Sequence, residues 1–341
     1  MPVIHEKNHP LPVAVVGCGR MGKFHARAYS QMPQVKLVGV YDLNPETASD
    51  VAGEYGTQPF ASLDELADHV SAVTIAVPTQ FHVSVAHGFI KRGIACLIEK
   101  PLAKSVEEAK QIVAWAKEFD AIVQVGHIER FNPAIRAMSR LEIKPGFIEV
   151  TRISPLTFRS IDVGVVFDMM IHDIDIVLRL ANSTVSRIDA TGVSVIGDVE
   201  DVCNARLTFA NGCVANLTAS RLALKTERRM RVFSSDAYVS IDFQKKYGLV
   251  ARRSGNLDAI RGVVARIRSG EIQDISELNF KELVHVEELA IDDVEPLRAE
   301  LESFVNSAMN HTPAQVTAED GLAAVETAAR IVEAIPHRPL V

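Results

Sequence analysis

Three short stretches of this chain carry side chains that could do chemistry together. Glu99-Lys100-Pro101 ends an apolar run, Ile94 to Ile98, and sets a carboxylate and an ammonium at a strand edge. Asp168-Met-Met-Ile-His172-Asp-Ile-Asp175 spaces Asp168 and His172 by four residues, which puts both on one helix face. Gly17-Cys-Gly19-Arg-Met-Gly22 lies between a short apolar run and a helical pattern. An imidazole titrates near neutrality and suits removal of an alcohol proton. An ammonium stabilises developing alkoxide charge. An acid such as Asp168 can orient both. Either Lys100 or His172 can be the formal base. The spacing from His172 to its neighbouring acids also suits a metal, but no third ligand stands nearby in the sequence, and no metal is expected.

These groups need a scaffold. Val13 to Val16 reads as a strand buried on both faces, and Val35 to Val40 as a second. The segment between them carries Met21, Phe24, Ala28 and Met32 at helical spacing. Together they form a βαβ unit with its glycines at the strand-to-helix turn. Gly17 makes the tight turn, Gly19 lets backbone approach a pyrophosphate, and Gly22 lets the helix lie close on the strand. Free N–H groups at the helix start attract phosphate. Asp42 follows Gly22 by about 20 residues, where a carboxylate can accept from a ribose hydroxyl. Leu43 and Asn44 offer no cation for a 2′-phosphate, so NAD is favoured over NADP.

Strands and helices then alternate. Asn44-Pro45-Glu46 starts a helix stopped by Gly56, and a brief strand follows near 57–60. Ser62-x-x-Glu65 and Ser105-x-x-Glu108 cap two more helices. Strands are expected at 73–77, 94–98 and 122–125, with a helix of Phe81, Val85 and Phe89 closed by Gly93. This rhythm implies a doubly wound parallel sheet, a Rossmann domain over 1–127. A helix starts at Asn132-Pro133. From Phe147 strands dominate: 148–154, 187–195, 203–209, 213–219, 230–234 and 237–243. Asn211-Gly212 marks a hairpin. One helix over 168–180 interrupts them, 257–268 reads as another, and two more (294–308 and 318–335) close the chain. Residues 128–341 are expected to form an α+β domain with a largely antiparallel open sheet.

Ligands of open parallel sheets bind at the strands' carboxyl ends. The expected cofactor residues are therefore Gly17, Gly19, Arg20, Met21, Gly22, Asp42, Pro78, Thr79, His82, Glu99 and Lys100. Gly126-His127 ends another strand at the same edge. Length fits two domains, and the net charge of −7 argues against a nucleic-acid partner. The four cysteines form no CxxC and no zinc spacing, as in a reduced intracellular chain. No apolar run approaches a membrane span and no leader-like segment opens the chain, so a cytoplasmic location is expected.

These motifs together resemble the Gfo/Idh/MocA oxidoreductases. The resemblance spans nearly the whole chain: Gly17-x-Gly19-x-x-Gly22, Glu99-Lys100-Pro101, Gly126-His-Ile-Glu-Arg130-Phe131-Asn-Pro133 and Asp168-x-x-x-His172-x-x-Asp175, in that order. It implies that Lys100 and His172 flank a reacting carbinol with Asp168 beside them. It also implies a C-terminal sheet that contacts substrate and joins protomers into a dimer or tetramer, and it points to a cis Lys100–Pro101 peptide. Two departures concern the substrate side: Ile128 where the family often has Asn, and Gly164-Val165 where it often has two glycines. GHIERFNP and DVGVVFDMMIHDID are worded most like the branch that oxidises UDP-N-acetylglucosamine at C3 and hands a 3-keto sugar to an aminotransferase. A locally basic run agrees with a pyrophosphate in the substrate: Arg130, Arg136, Arg140, Lys144, Arg152 and Arg159. The expected substrate residues are Lys100, Arg130, Arg159, Asp168 and His172. The competing readings are an inositol or simple aldose dehydrogenase, and a non-catalytic dinucleotide sensor, which would need none of Lys100, Asp168 and His172.

Overall fold

The structure is a computed structural model that describes residues 9–157, 161–253, 257–272 and 284–336. The chain opens with β1 (Leu11–Val16), α1 (Arg20–Ser30), β2 (Val35–Tyr41), α2 (Pro45–Tyr55), β3 (Gln58–Pro59), α3 (Leu63–Ala67) and β4 (Ala72–Ile75). It continues with α4 (His82–Ile90), β5 (Ala95–Glu99), α5 (Val106–Glu118) and β6 (Val123–Gly126). The six strands form one parallel sheet in the order β3-β2-β1-β4-β5-β6. The strand order reverses between β1 and β4, the switch point where such sheets take dinucleotides. β4 is buried at every residue, as a central parallel strand must be. Its Thr74 hydroxyl is matched by the Tyr29 hydroxyl at 2.8 Å.

The expected caps are present. Asn44 accepts from the Glu46 and Thr47 amides, Ser62 from Glu65 and Ser105 from Glu108. The buried face of α1 differs from expectation. Gly22, His25, Ala26 and Tyr29 face inward, while Phe24 is exposed. The cause is Gly22: a Cβ there would fall 1.7 Å from the Gly17 carbonyl, so that residue must face the turn and fixes the phase of the whole helix.

The second sheet is built from β7 (Phe147–Ile153), β8 (Val185–Val193), β9 (Val202–Phe209), β10 (Val214–Ser220), β11 (Glu227–Phe233), β12 (Ala237–Asp242), β13 (Tyr247–Arg253) and β14 (Val284–Glu288). Its order is β14-β13-β12-β11-β7-β10-β9-β8, antiparallel except for the β7/β10 pair. Burial alternates along β7, β9 and β10, the pattern of a one-faced sheet. Gly212, at φ +87°, turns the β9/β10 hairpin. β13 and β14 lie beyond the strands expected from the sequence.

Four further helices are α6 (Pro133–Ser139), α7 (Ile171–Ala181), α8 (Leu257–Arg268) and α9 (Pro296–Asn310), and α10 (Ala318–Ala334) closes the described chain. The two compact units do not follow a single cut. Residues 1–132, 166–178 and 294–341 make one; 133–165 and 179–293 make the other. The change of sheet type falls between β6 and β7. The packing unit of the parallel sheet also gathers most of α7 and both closing helices.

Candidate active site

The glycine turn has the features a dinucleotide requires. Gly17 sits at φ +91°, and a Cβ on it would meet the Ala76 carbonyl oxygen at 2.6 Å. A Cβ on Gly19 would meet nothing within 4 Å, so this backbone is open to approach. Gly19 is the N-cap of α1, and Arg20 and Met21 open its first turn. Arg20 lies over the Phe24 ring at 5.5 Å. Asp42 is tied to the turn: its Oδ2 accepts from the Cys18 amide at 2.7 Å and its Oδ1 from the Asn44 amide at 2.9 Å. Each carboxylate oxygen keeps a second lone pair, which a ribose hydroxyl can use. Leu43 beside it is exposed and uncharged. These residues fit a bound dinucleotide. Pro78 and Thr79 begin a 3₁₀ turn, Thr79–Phe81, after β4 at the same sheet edge.

The Lys100–Pro101 peptide is cis, as expected. Lys100 Nζ donates to the Asp168 backbone carbonyl at 2.7 Å and stands 3.7 Å from Asp168 Oδ1. Asp168 belongs to a π-helical turn, Val166–Met170, that runs directly into α7 and His172. A π turn widens the helix and is a frequent feature of functional sites. Lys100, Asp168 and the helix bearing His172 are thus brought together within one unit. Beneath Lys100, Glu99 Oε1 pairs with His25 Nε2 at 2.8 Å, and Glu99 Oε2 accepts from the Lys100 amide at 3.3 Å. Burial pushes the Glu99 carboxyl up, but the His25 hydrogen bond and the charges of His25 and Lys100 outweigh it and hold it below the usual range. Gly126 makes room for this acid: a Cβ there would lie 3.1 Å from the Glu99 carboxyl.

Two expected residues have other employment. His82 is buried, with Nε2 3.0 Å from the Val77 carbonyl and Nδ1 3.0 Å from that of Pro101. It is buried between the loops after β4 and β5. Burial pushes its imidazole down, against the raising effect of the carbonyls, so one nitrogen donates and the other does not. Arg130 does not reach outward either. Its guanidinium forks onto Asp175 at 2.6 and 2.8 Å and lies 3.7 Å from Asp320. That pair anchors α7 to the 3₁₀ turn Ile128–Phe131.

In the second unit Arg152 is buried under the Phe243 ring at 5.7 Å, and Arg136 and Arg140 face Asp292 at 3.9 and 3.6 Å. Among the described residues these four arginines thus face protein partners. Arg159 lies outside the described residues.

Sequence reasoning misses two buried groups in the first unit, His25 under Glu99 and Glu300 on α9; it places His127 at the sheet edge but not beside His172. His25 lies three residues past Gly22, and Gly22 as a phase marker would have found it. Glu300 has no signal in an amphipathic helix, since an isolated acid reads as surface. Both its carboxyl oxygens lack a hydrogen-bond partner among the described residues. Burial, reinforced by Glu99, pushes it well above the usual range.

Residues 11–127 match the family model described as "Oxidoreductase family, NAD-binding Rossmann fold", and residues 154–240 match the GFO/IDH/MocA C-terminal domain. The chain is 36% identical to the UDP-N-acetylglucosamine 3-dehydrogenase of Acidithiobacillus ferrooxidans over 88% of this chain and 89% of that one. A solved structure of that protein superposes with a TM-score of 0.85 at 32% identity, covering 95% of this chain and 97% of the other. An inositol 2-dehydrogenase of Rhizobium meliloti is 29% identical over 68% of this chain and 75% of its own.

Proposed function

This chain belongs to the Gfo/Idh/MocA oxidoreductase family, and on that premise we propose that it is an NAD-dependent dehydrogenase that oxidises the 3-hydroxyl of a UDP-linked N-acetylhexosamine to a ketone. The observation that carries the reading is the convergence of Lys100 on Asp168 at the turn leading to His172. When bound, the nicotinamide supplies a hydride acceptor. The chain's own residues manage the hydroxyl proton. Lys100, ion-paired with Asp168, donates to the carbinol oxygen and stabilises its developing charge. That leaves His172 to take the proton. Glu99, anchored by His25, holds the Lys100 backbone beneath the site. A sensor on this fold would need no such pairing.

The sugar nucleotide is supported by the 36% identity over most of both chains. NAD over NADP is supported by Asp42 with uncharged Leu43 and Asn44 beside it. The 3-keto product suits an aminotransferase, and the enzyme works in the cytoplasm as a dimer or tetramer joined through the second sheet. The deciding assay offers UDP-N-acetylglucosamine, UDP-glucose, free N-acetylglucosamine and myo-inositol with NAD, with an aminotransferase to draw off ketone. Turnover of inositol or free sugar alone would overturn the substrate. Fluorescence titration with both cofactors tests the other half: Asp42→Ala should weaken NAD strongly, and tighter NADP binding to the unmodified protein would sink the assignment.

A further inference from the structure

His127 is a buried imidazole to which nothing above gives a task. It follows Gly126 at the end of β6 and is 1% exposed. Its backbone is fixed: the amide donates to the Val125 carbonyl at 2.8 Å, and its carbonyl accepts from the Arg130 amide at 2.9 Å. Neither ring nitrogen has a hydrogen-bond partner among the described residues. A phenyl ring would fill the same space without two polar atoms to satisfy, so packing alone does not call for imidazole here. The ring contact it does make is with His172. The two centroids are 6.4 Å apart and the planes cross at 85°, so one ring presents its edge to the face of the other.

We propose that His127 is a positioning residue that holds the His172 ring in its working orientation and tautomer. The idea rests on His172 being the base of the proposed dehydrogenase and adds the group that prepares it. Burial pushes the His127 imidazole down; Asp175 opposes this, Arg130 and Lys100 add to it, and Glu99 opposes it. His127 therefore stays neutral while carrying a lone pair and a ring dipole. The charged groups around it come from every side: Glu99 and Lys100 after β5, Arg130 on the 3₁₀ turn, and Asp175 with His172 itself on α7. A neutral imidazole in that position can favour the proton on His172 without competing for it. His127 is too buried to touch substrate, so its action passes through His172.

The test uses His127→Phe, which keeps the ring and removes both nitrogens, with His127→Gln as the conservative partner. The first readout is the ¹⁵N titration of His172 in full-length protein with NAD, which needs no sugar. His127→Phe should move the His172 midpoint to lower pH by about half a unit or more and alter its tautomer ratio. The pH profile of kcat should move the same way, and kcat at pH 7 should fall about tenfold with KM and NAD affinity unchanged. His127→Gln should recover part of both, and it carries the titration if His127→Phe does not fold. An unmoved His172 titration overturns the proposal, as does a loss of kcat that merely tracks lost stability. A normal titration shift without turnover of any UDP-sugar leaves the positioning role standing and refutes the substrate reading instead.

Discussion

Glu99, largely buried, and Glu300, fully buried, lie in the same unit and sense each other's charge, yet they end in opposite states. Glu99 has His25 at 2.8 Å, the Lys100 amide at 3.3 Å and the Lys100 ammonium's charge nearby, and it is held ionised. Glu300 has no hydrogen-bond partner for either oxygen among the described residues, faces the charge of Glu99 and is pushed toward the neutral acid. Burial opposes ionisation at both sites. The number of donors decides the outcome. An ionised acid under Lys100 can hold that residue's backbone, whereas a neutral acid on α9 can only sit in place. Partnered charges in this unit should thus be the costly ones to disturb.

The sharpest way to break that contrast is Arg130→Ala. It removes the fork on Asp175 and leaves a buried carboxylate with a much weaker set of partners. Losing one half of a buried pair costs roughly 3–5 kcal/mol. Thermal or denaturant unfolding should show a loss of that order, and a change below about 1 kcal/mol would mean that Asp175 is already satisfied elsewhere. Had Arg130 been a substrate arm, the variant would instead raise KM and leave stability unchanged.

Arg130 also marks the limit of what residue order reveals. The parallel sheet, its glycine turn and the caps at Asn44, Ser62 and Ser105 all rest on local patterns: period, spacing and turn residues. They are legible because neighbours in sequence produce them. The partner of Arg130 is 45 residues away on α7, and the partner of Glu99 is 74 residues away on α1. Nothing local announces either. Hydrophobicity alone misplaces the phase of α1, because the steric demand of Gly22 outranks it. β13 and β14 escape a sequence reading because their register is set by neighbours, with little signal of their own.

Catalysis offers the next two tests. Lys100→Ala should lower kcat by about 10²-fold, equal to roughly 2.7 kcal/mol of transition-state stabilisation, with NAD affinity nearly unchanged. An equal loss in NAD affinity would show that the lysine serves binding rather than chemistry. Glu99→Gln keeps the shape but removes the charge facing His25. Its effect should be smaller, about tenfold in kcat, with NAD affinity unchanged. An unchanged kcat would assign Glu99 a purely steric place under Lys100.

The gentlest test separates the two acids most cleanly. Glu300→Gln replaces a neutral acid by a neutral amide of nearly the same shape. The folded protein holds Glu300 protonated, whereas the unfolded chain releases that proton at an ordinary glutamate pKa of about 4.3. Between that pH and the raised folded value, the folded state binds more protons than the unfolded one, so wild-type stability falls as pH rises through this window. The amide of the variant has no such proton to hold and escapes the loss. Below about pH 4 the two proteins should therefore melt together, with the variant slightly lower if its amide hydrogens stay unmatched. As pH is raised toward about 8 the variant should pull ahead by a few degrees in Tm. Glu300→Asp would keep the wild-type trend and add a cavity. A Tm gap that is constant across pH would mean that Glu300 titrates alike in both states. A variant that loses ground as pH rises would mean that Glu300 is ionised in the fold, with a partner in the native protein, and would erase its difference from Glu99.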